Sequence, residues 1–175
     1  TVIKIDDSGM HKGTILYDGY RIPSKDSIEN YFYNYKAYHS ELKTLEPFLG
    51  NRDNKQKNVH ILRYGDVLLM QAEAANELNN SGLAIANLNR LRNRAGLGDT
   101  SAAGGQPLRD AIWKERRYEL AMEHDRFFDI VRQGRAAEIM QAAGKNFVKG
   151  KHELLPVPAL QIELSGGRLT QNPGY

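Results

Sequence analysis

Between Asp66 and Gly96 two stretches of helical periodicity follow each other with almost nothing between them. Val67, Leu68, Ala72, Ala75 and Leu78 recur at the spacing that puts side chains on one face of a helix over residues 66–79. The alanines in that stripe let a neighbouring helix come close. Asn79-Asn80 breaks the pattern, and Ser81, a good N-cap residue, is expected to open a second helix. Ala84, Leu88, Leu91 and Ala95 form its stripe and Gly96 its natural stop. Two helices on so short a connection pack as antiparallel neighbours, which commits this part of the chain to helix-on-helix architecture.

The pattern continues downstream. After a Gly/Ser/Ala loop from Gly98 to Gln106, Pro107 sits where a first-turn proline belongs. Leu108, Ala111, Ile112, Tyr118, Ala121 and Met122 predict an amphipathic third helix. A fourth begins near Asp125 with Phe127, Phe128, Ile130 and Val131, and is open to continuation from Arg135 to Ala143, where Gly144 stops it. Pro156, Pro158 and Pro173 exclude long helices from the tail, and Leu154-Leu155 is expected to clip it onto the helices. The fold class is therefore mostly α: antiparallel helix pairs of the tetratricopeptide kind, without that repeat's consensus spacing, and an irregular C-terminal tail.

Residues 1–60 differ from residues 61–175 and are expected to form an extended, loop-rich aromatic segment packing on the helical domain. Six of the nine tyrosines fall between Tyr17 and Tyr38, and Pro47 to Asn58 is a polar loop. Period-two alternation from Tyr31 to Tyr38 predicts a strand or hairpin arm. It places Tyr31, Tyr33 and Tyr35 on one face, and Phe32 and Tyr38 on the other with Asn34 and Lys36. An arm wet on both faces would not hold its shape, so the three-tyrosine face is expected to pack on the helices. The competing role is an aromatic platform of Tyr31, Tyr33, Tyr35 and Tyr38 for a ligand such as a sugar ring.

Charge narrows the chemistry. With 24 Lys and Arg against 21 Asp and Glu, the surplus of +3 is too small to mark a nucleic-acid footprint. In residues 61–140, however, 10 of 11 basic side chains are Arg, whereas 7 of 9 are Lys in residues 1–60. Arginine is the cation of choice for partly buried pairing with carboxylates. Glu115, Glu119 and Glu123 at i, i+4, i+8 would stack on one helix face and could serve as a glycosidase's acid and base. Neighbouring arginines make them poor general acids, so Glu115, Arg116, Arg117, Glu119 and Arg126 are expected to form a structural ion-pair network. No catalytic residue is assigned.

The absence of cysteine excludes disulfides, thiolate zinc sites and cysteine nucleophiles. His11, His39, His60, His124 and His152 lack HxxxH or HExxH spacing, so no metal site is expected. No glycine-rich phosphate loop and no GxSxG occurs, and no cofactor is implied. No run of about 18 apolar residues forms a candidate transmembrane helix. The chain opens at Thr1 without a start methionine or a charged, apolar leader, so its precursor is expected to extend further and to carry any targeting signal there.

Six strings stand in order over residues 58–175. They are Leu62-Arg63-Tyr64-Gly65-Asp66-Val67-Leu68-Leu69-Met70-Gln71-Ala72-Glu73-Ala74, then Leu88-Asn89-Arg90-Leu91-Arg92-Asn93-Arg94-Ala95-Gly96-Leu97, then Ile112-Trp113-Lys114-Glu115-Arg116-Arg117-Tyr118-Glu119-Leu120-Ala121. Arg126-Phe127-Phe128-Asp129-Ile130-Val131-Arg132, Gly150-Lys151-His152-Glu153-Leu154-Leu155-Pro156-Val157-Pro158 and Gln171-Asn172-Pro173-Gly174-Tyr175 complete them. Together they resemble the C-terminal part of the SusD/RagB family, the surface glycan-binding lipoproteins of Bacteroidetes. Gly65 stands where the family usually has Ala, His124 where Gly is frequent and Gln133 where Trp is frequent.

The resemblance implies a helical, tetratricopeptide-like scaffold and no catalysis. It implies capture of an oligosaccharide or peptide, which is handed to a TonB-dependent, SusC-like outer-membrane transporter. The protein would then be a surface-exposed lipoprotein of the outer membrane whose anchor lies outside this chain. The family's lipidated cysteine and most of its ligand contacts lie upstream of the matched region, which implies weak glycan binding by this portion. The rival from another class is a free-standing helical-repeat module for protein partners, with a glycosidase third.

Overall fold

The computed structural model describes residues 2–5, 13–17, 19–27, 31–37 and 60–175. They form two compact units, Thr1–Tyr64 and Gly65–Tyr175.

In the first unit, β1 (Val2–Lys4) pairs antiparallel with β2 (Phe32–Asn34), in the register Val2–Asn34, Ile3–Tyr33, Lys4–Phe32. A second antiparallel bridge joins Ile15 to Arg21. Gly13 at φ +104 carries the chain past Ile22, whose carbonyl oxygen would lie 2.1 Å from an added Cβ. Ile5, Leu16 and Ile22 are the buried centre, with Ile3, Tyr20, Tyr33 and Tyr35 packed around them. The strand is shorter than its alternation predicts. Asn34 turns it, its side-chain oxygen accepting from the Lys36 backbone N–H at 3.1 Å, and Tyr35–Ala37 wind into a 3₁₀ turn. Tyr38 and the Pro47–Asn58 loop lie outside the described residues.

The second unit is helical. α1 (Tyr64–Glu77) and α2 (Ser81–Arg94) form the antiparallel pair. α1 ends with Asn79 at φ +58, the Asn80 N–H reaching back to the Ala75 carbonyl at 2.8 Å and that of Asn79 to Asn76 at 3.0 Å. α2 ends the same way on Gly96 at φ +74, with Leu97 N–H on the Arg92 carbonyl at 2.9 Å. Both are Schellman closures, with Asn and Gly as the residues that tolerate the left-handed conformation. The N-cap of α2 is Asn80 rather than Ser81: its side-chain oxygen accepts from the Leu83 N–H at 3.2 Å. α3 (Gly105–Glu119) packs Leu108 and Ile112 against Leu68, Leu69, Ala72, Ala75, Ala84, Leu88 and Leu91.

Further along, the sequence-based stripe of α3 needs correction. Tyr118 is exposed, and Ala121 and Met122 lie beyond the helix; the positions that continue the buried face are Glu115 and Arg116. Glu123 also lies past the helix end, so the three glutamates do not share one face. The fourth stretch divides into α4 (Arg126–Arg132) and α5 (Ala136–Ala142), separated at Gly134, φ +69. Ile130, Ala136 and Phe147 form a second apolar cluster there. The tail holds one short helix, α6 (Ala159–Leu164), entered from Pro158. Leu154 and Leu155 are exposed, Leu155 at 82 %, so they do not clip the tail down. Their carbonyls close the tail on itself, accepting from Tyr175 Oη at 2.9 Å and Asn172 Nδ2 at 2.6 Å.

Candidate functional site

The chemistry of the helical unit is concentrated where α1, α3 and α4 meet. Arg116, on the buried face of α3, donates through Nε to both oxygens of Asp129 on α4 at 2.8 and 3.0 Å, and through Nη1 to Asp66 on α1 at 2.5 Å. All three are buried, at 6 %, 5 % and 6 % exposure for Arg116, Asp129 and Asp66. Arg132 donates to Asp129 at 3.0 Å and grips Glu73 with two bonds of 2.6 and 2.9 Å. Glu73 also accepts from the Trp113 indole N–H at 2.9 Å. Burial pushes the Glu73 carboxyl up, but the Arg132 and Trp113 hydrogen bonds and the charges of Arg132 and Arg116 outweigh it and hold the group below the usual carboxylate range.

A second group of pairs ties α2 to α3. Glu115, itself buried, accepts from Arg92 at 3.0 Å, and Arg92 also bonds the Gly98 carbonyl at 2.8 Å. Glu119 accepts from Arg94 at 2.6 and 2.8 Å. Arg109 on α3 pairs with Glu77 on α1, and that contact holds the Glu77 carboxyl below its ordinary value. Glu73 and Glu77, whose carboxyls these guanidiniums hold below their ordinary range, are poor general acids.

Arg116, Glu115 and Glu119 thus stand in the ion-pair network. Arg117 and Arg126 do not: among the described residues neither forms an ion pair, and both line cavities beside it. Sequence reasoning missed Asp66, Glu73, Arg92, Arg94 and Asp129. The arginine bias of residues 61–140 marked the class of interaction, but partners 50 and 59 residues apart carry no local spacing signal.

Tyr33 and Tyr35 turn onto the Ile5–Leu16–Ile22 cluster, Tyr17 meets Tyr35 edge-on at 6.5 Å, and Tyr31 is 48 % exposed. Among the described residues no group of three His, Cys, Asp or Glu is placed to hold a metal ion, and no helix is long and apolar enough to cross a membrane.

Comparison with known proteins places this arrangement. The model of the SusD family matches residues 8–175. SusD-like protein P2 of Formosa agariphila is 36 % identical over 140 residues, which are 72 % of this chain and 28 % of that protein. Among solved structures, a laminarin-binding SusD-like protein is 44 % identical with a TM-score of 0.54, over 66 % of this chain and 23 % of that one. Surface glycan-binding protein A of Bacteroides thetaiotaomicron is 31 % identical with a TM-score of 0.57, over 69 % and 26 %. The chain spans about a quarter of the length of these relatives.

Proposed function

Because this chain belongs to the SusD family, we propose that it is the C-terminal scaffold of a non-catalytic protein that captures nutrient glycans or peptides at the outer-membrane surface. The captured ligand passes to a TonB-dependent, SusC-like transporter, and the lipid anchor lies outside this chain. The observation that carries the reading is the family match across residues 8–175. Its glycan side draws support from the similar proteins described as laminarin-binding and surface glycan-binding. Its non-catalytic side draws support from the commitment of Glu115 and Glu119 to Arg92 and Arg94. Tyr31, Tyr33, Tyr35 and Tyr38 remain the proposed ligand contacts of the N-terminal unit.

The test is affinity purification of the tagged native protein from detergent-solubilised outer membranes, followed by incubation with a panel of glycans. A TonB-dependent barrel should co-purify, and glycans should be retained without being shortened. Product release abolished by Glu115→Gln or Glu119→Gln would make the protein an enzyme. A preparation with neither barrel nor retained glycan or peptide would remove the uptake role.

A further inference from the structure

Between the second half of α3, the start of α4 and residues 133–139 lies a cavity of about 270 Å³, just below the usual size range of ligand sites and large enough for a single sugar residue. Lys114, Arg117, Arg126 and Arg135 bring four cations to its walls, against one carboxylate, Asp110. Asp110 is engaged by the Gln106 amide at 2.8 Å. Arg135 has a long contact of 3.6 Å with an exposed Glu138. Asp129 also bears on Arg126 electrostatically, but it is already held by Arg116 and Arg132. Lys114, Arg117 and Arg126 form no ion pair among the described residues. Burial, then the charge of Arg117 and that of Arg135, lower the pKa of Arg126 against the pull of Asp129. Like charges converging on a concavity leave it short of one anion.

Two further features say what surrounds that anion. Gln133 lines the same cavity, and both of its amide atoms, one donor and one acceptor, are closed to solvent without a hydrogen-bond partner. A buried amide left unpaired is a standing cost, which a turn of the Gln133 side chain toward a hydroxyl group in the cavity, able to donate and accept, would remove. The Trp113 N–H is already taken by Glu73, and the Arg135 guanidinium lies over its ring, 5.8 Å from the centroid. The exposed Tyr118 ring is therefore the aromatic surface the cavity offers. Aromatic rings with polar tips suit the flat faces of sugars.

We propose that this cavity binds an acidic sugar residue, with its carboxylate or sulfate held by Arg117 and Arg126, its ring against Tyr118 beside the Arg135–Trp113 pair, and a hydroxyl on the Gln133 amide. The proposal rests on the glycan-capture reading and narrows it to uronic or sulfated glycans. A polyanion such as nucleic acid would need a basic stripe along a surface, whereas these cations converge on one small concavity.

Trp113 is the one tryptophan of the chain, so its fluorescence reports on the cavity. The chain is titrated with a galacturonate oligosaccharide, a sulfated galactan oligosaccharide, a neutral laminari-oligosaccharide and inorganic sulfate. At least one acidic oligosaccharide should bind saturably, more weakly as salt rises, and about tenfold or more weakly in Arg117→Gln and Arg126→Gln. Arg117 is exposed and unpaired among the described residues, so its variant is expected to fold, which circular dichroism checks. Acidic oligosaccharides that fail to bind, or that bind both variants as well as wild type, overturn the proposal. A neutral oligosaccharide bound when no acidic one is would overturn it while leaving glycan capture standing. Arginine-dependent binding of sulfate with no saccharide bound would keep the anion site, overturn the sugar, and count against glycan capture by this chain.

Discussion

Arg116 is the residue on which the helical unit turns, because one guanidinium answers two buried carboxylates from different helices. Removing it strips Asp66 and Asp129 of a buried partner, with Arg132 left to Asp129. Breaking a buried pair from one side typically costs about 3–5 kcal/mol, whereas an exposed pair is worth about 0–1 kcal/mol. Arg116→Ala should therefore lower the urea midpoint sharply, and Glu138→Ala, whose side chain is 70 % exposed in its pair with Arg135, should barely move it. Equal midpoints would mean that the Arg116 bonds add nothing beyond solvation. Glu73 supplies the pH dependence at this scale. Its carboxyl titrates lower in the folded chain than the ordinary 4.5, so its stabilising contribution is complete above that value and is lost as pH falls through the folded one. Acid unfolding curves should show Glu73→Gln with a flatter acid limb than wild type. The arginine bias of the sequence announced that such pairs exist. It could not say which carboxylate meets which cation, since Asp66 and Arg116 come together only when α1, α3 and α4 have packed.

At the scale of elements, helix ends were legible wherever the chain itself enforces them. Asn79, Gly96 and Gly144 all adopt positive φ at a helix stop, and these residue types tolerate that geometry whatever surrounds them. The α4–α5 break at Gly134 was harder to see, because apolar residues continue on both sides of it. The buried face of α3 was misread for a related reason: periodicity counts apolar residues, and here the face is completed by a glutamate and an arginine that pay their desolvation through partners. The turn between α3 and α4 holds the oddest backbone, with Met122 at φ +67 and His124 at φ +70. A side chain in that region costs about 1–2 kcal/mol, which accounts physically for the glycine that the family resemblance led one to expect in place of His124. His124→Gly should raise the thermal midpoint, by an amount equivalent to about 1 kcal/mol once glycine's greater unfolded-state entropy is set against the relieved strain. A lower midpoint would mean that the His124 side chain holds this turn through its contacts.

For the whole molecule, the mostly helical class was readable because amphipathic helices advertise themselves over ten or more residues, while β2 spans three and the cavity beside α3 depends on side chains drawn from three helical segments. The two units differ in what they can sustain. Gly65–Tyr175 has two apolar clusters of its own, and its buried Asp66, Glu115, Arg116, Asp129 and Asn87 all find partners among its own residues. The N-terminal unit buries three apolar side chains among its described residues and pairs two strands of three residues each. A two-stranded ribbon with so small a centre is marginal in water. A chain cut to residues 64–175 should therefore give a helical circular-dichroism spectrum and one cooperative urea transition, while residues 1–63 alone should show neither a stable sheet signal nor a transition. Loss of cooperativity in the longer piece would show that the helical unit depends on the N-terminal one. A folded shorter piece would show instead that its tyrosine-rich cluster is a sufficient core, and that Tyr33 and Tyr35 contribute more to it than three buried aliphatic side chains imply.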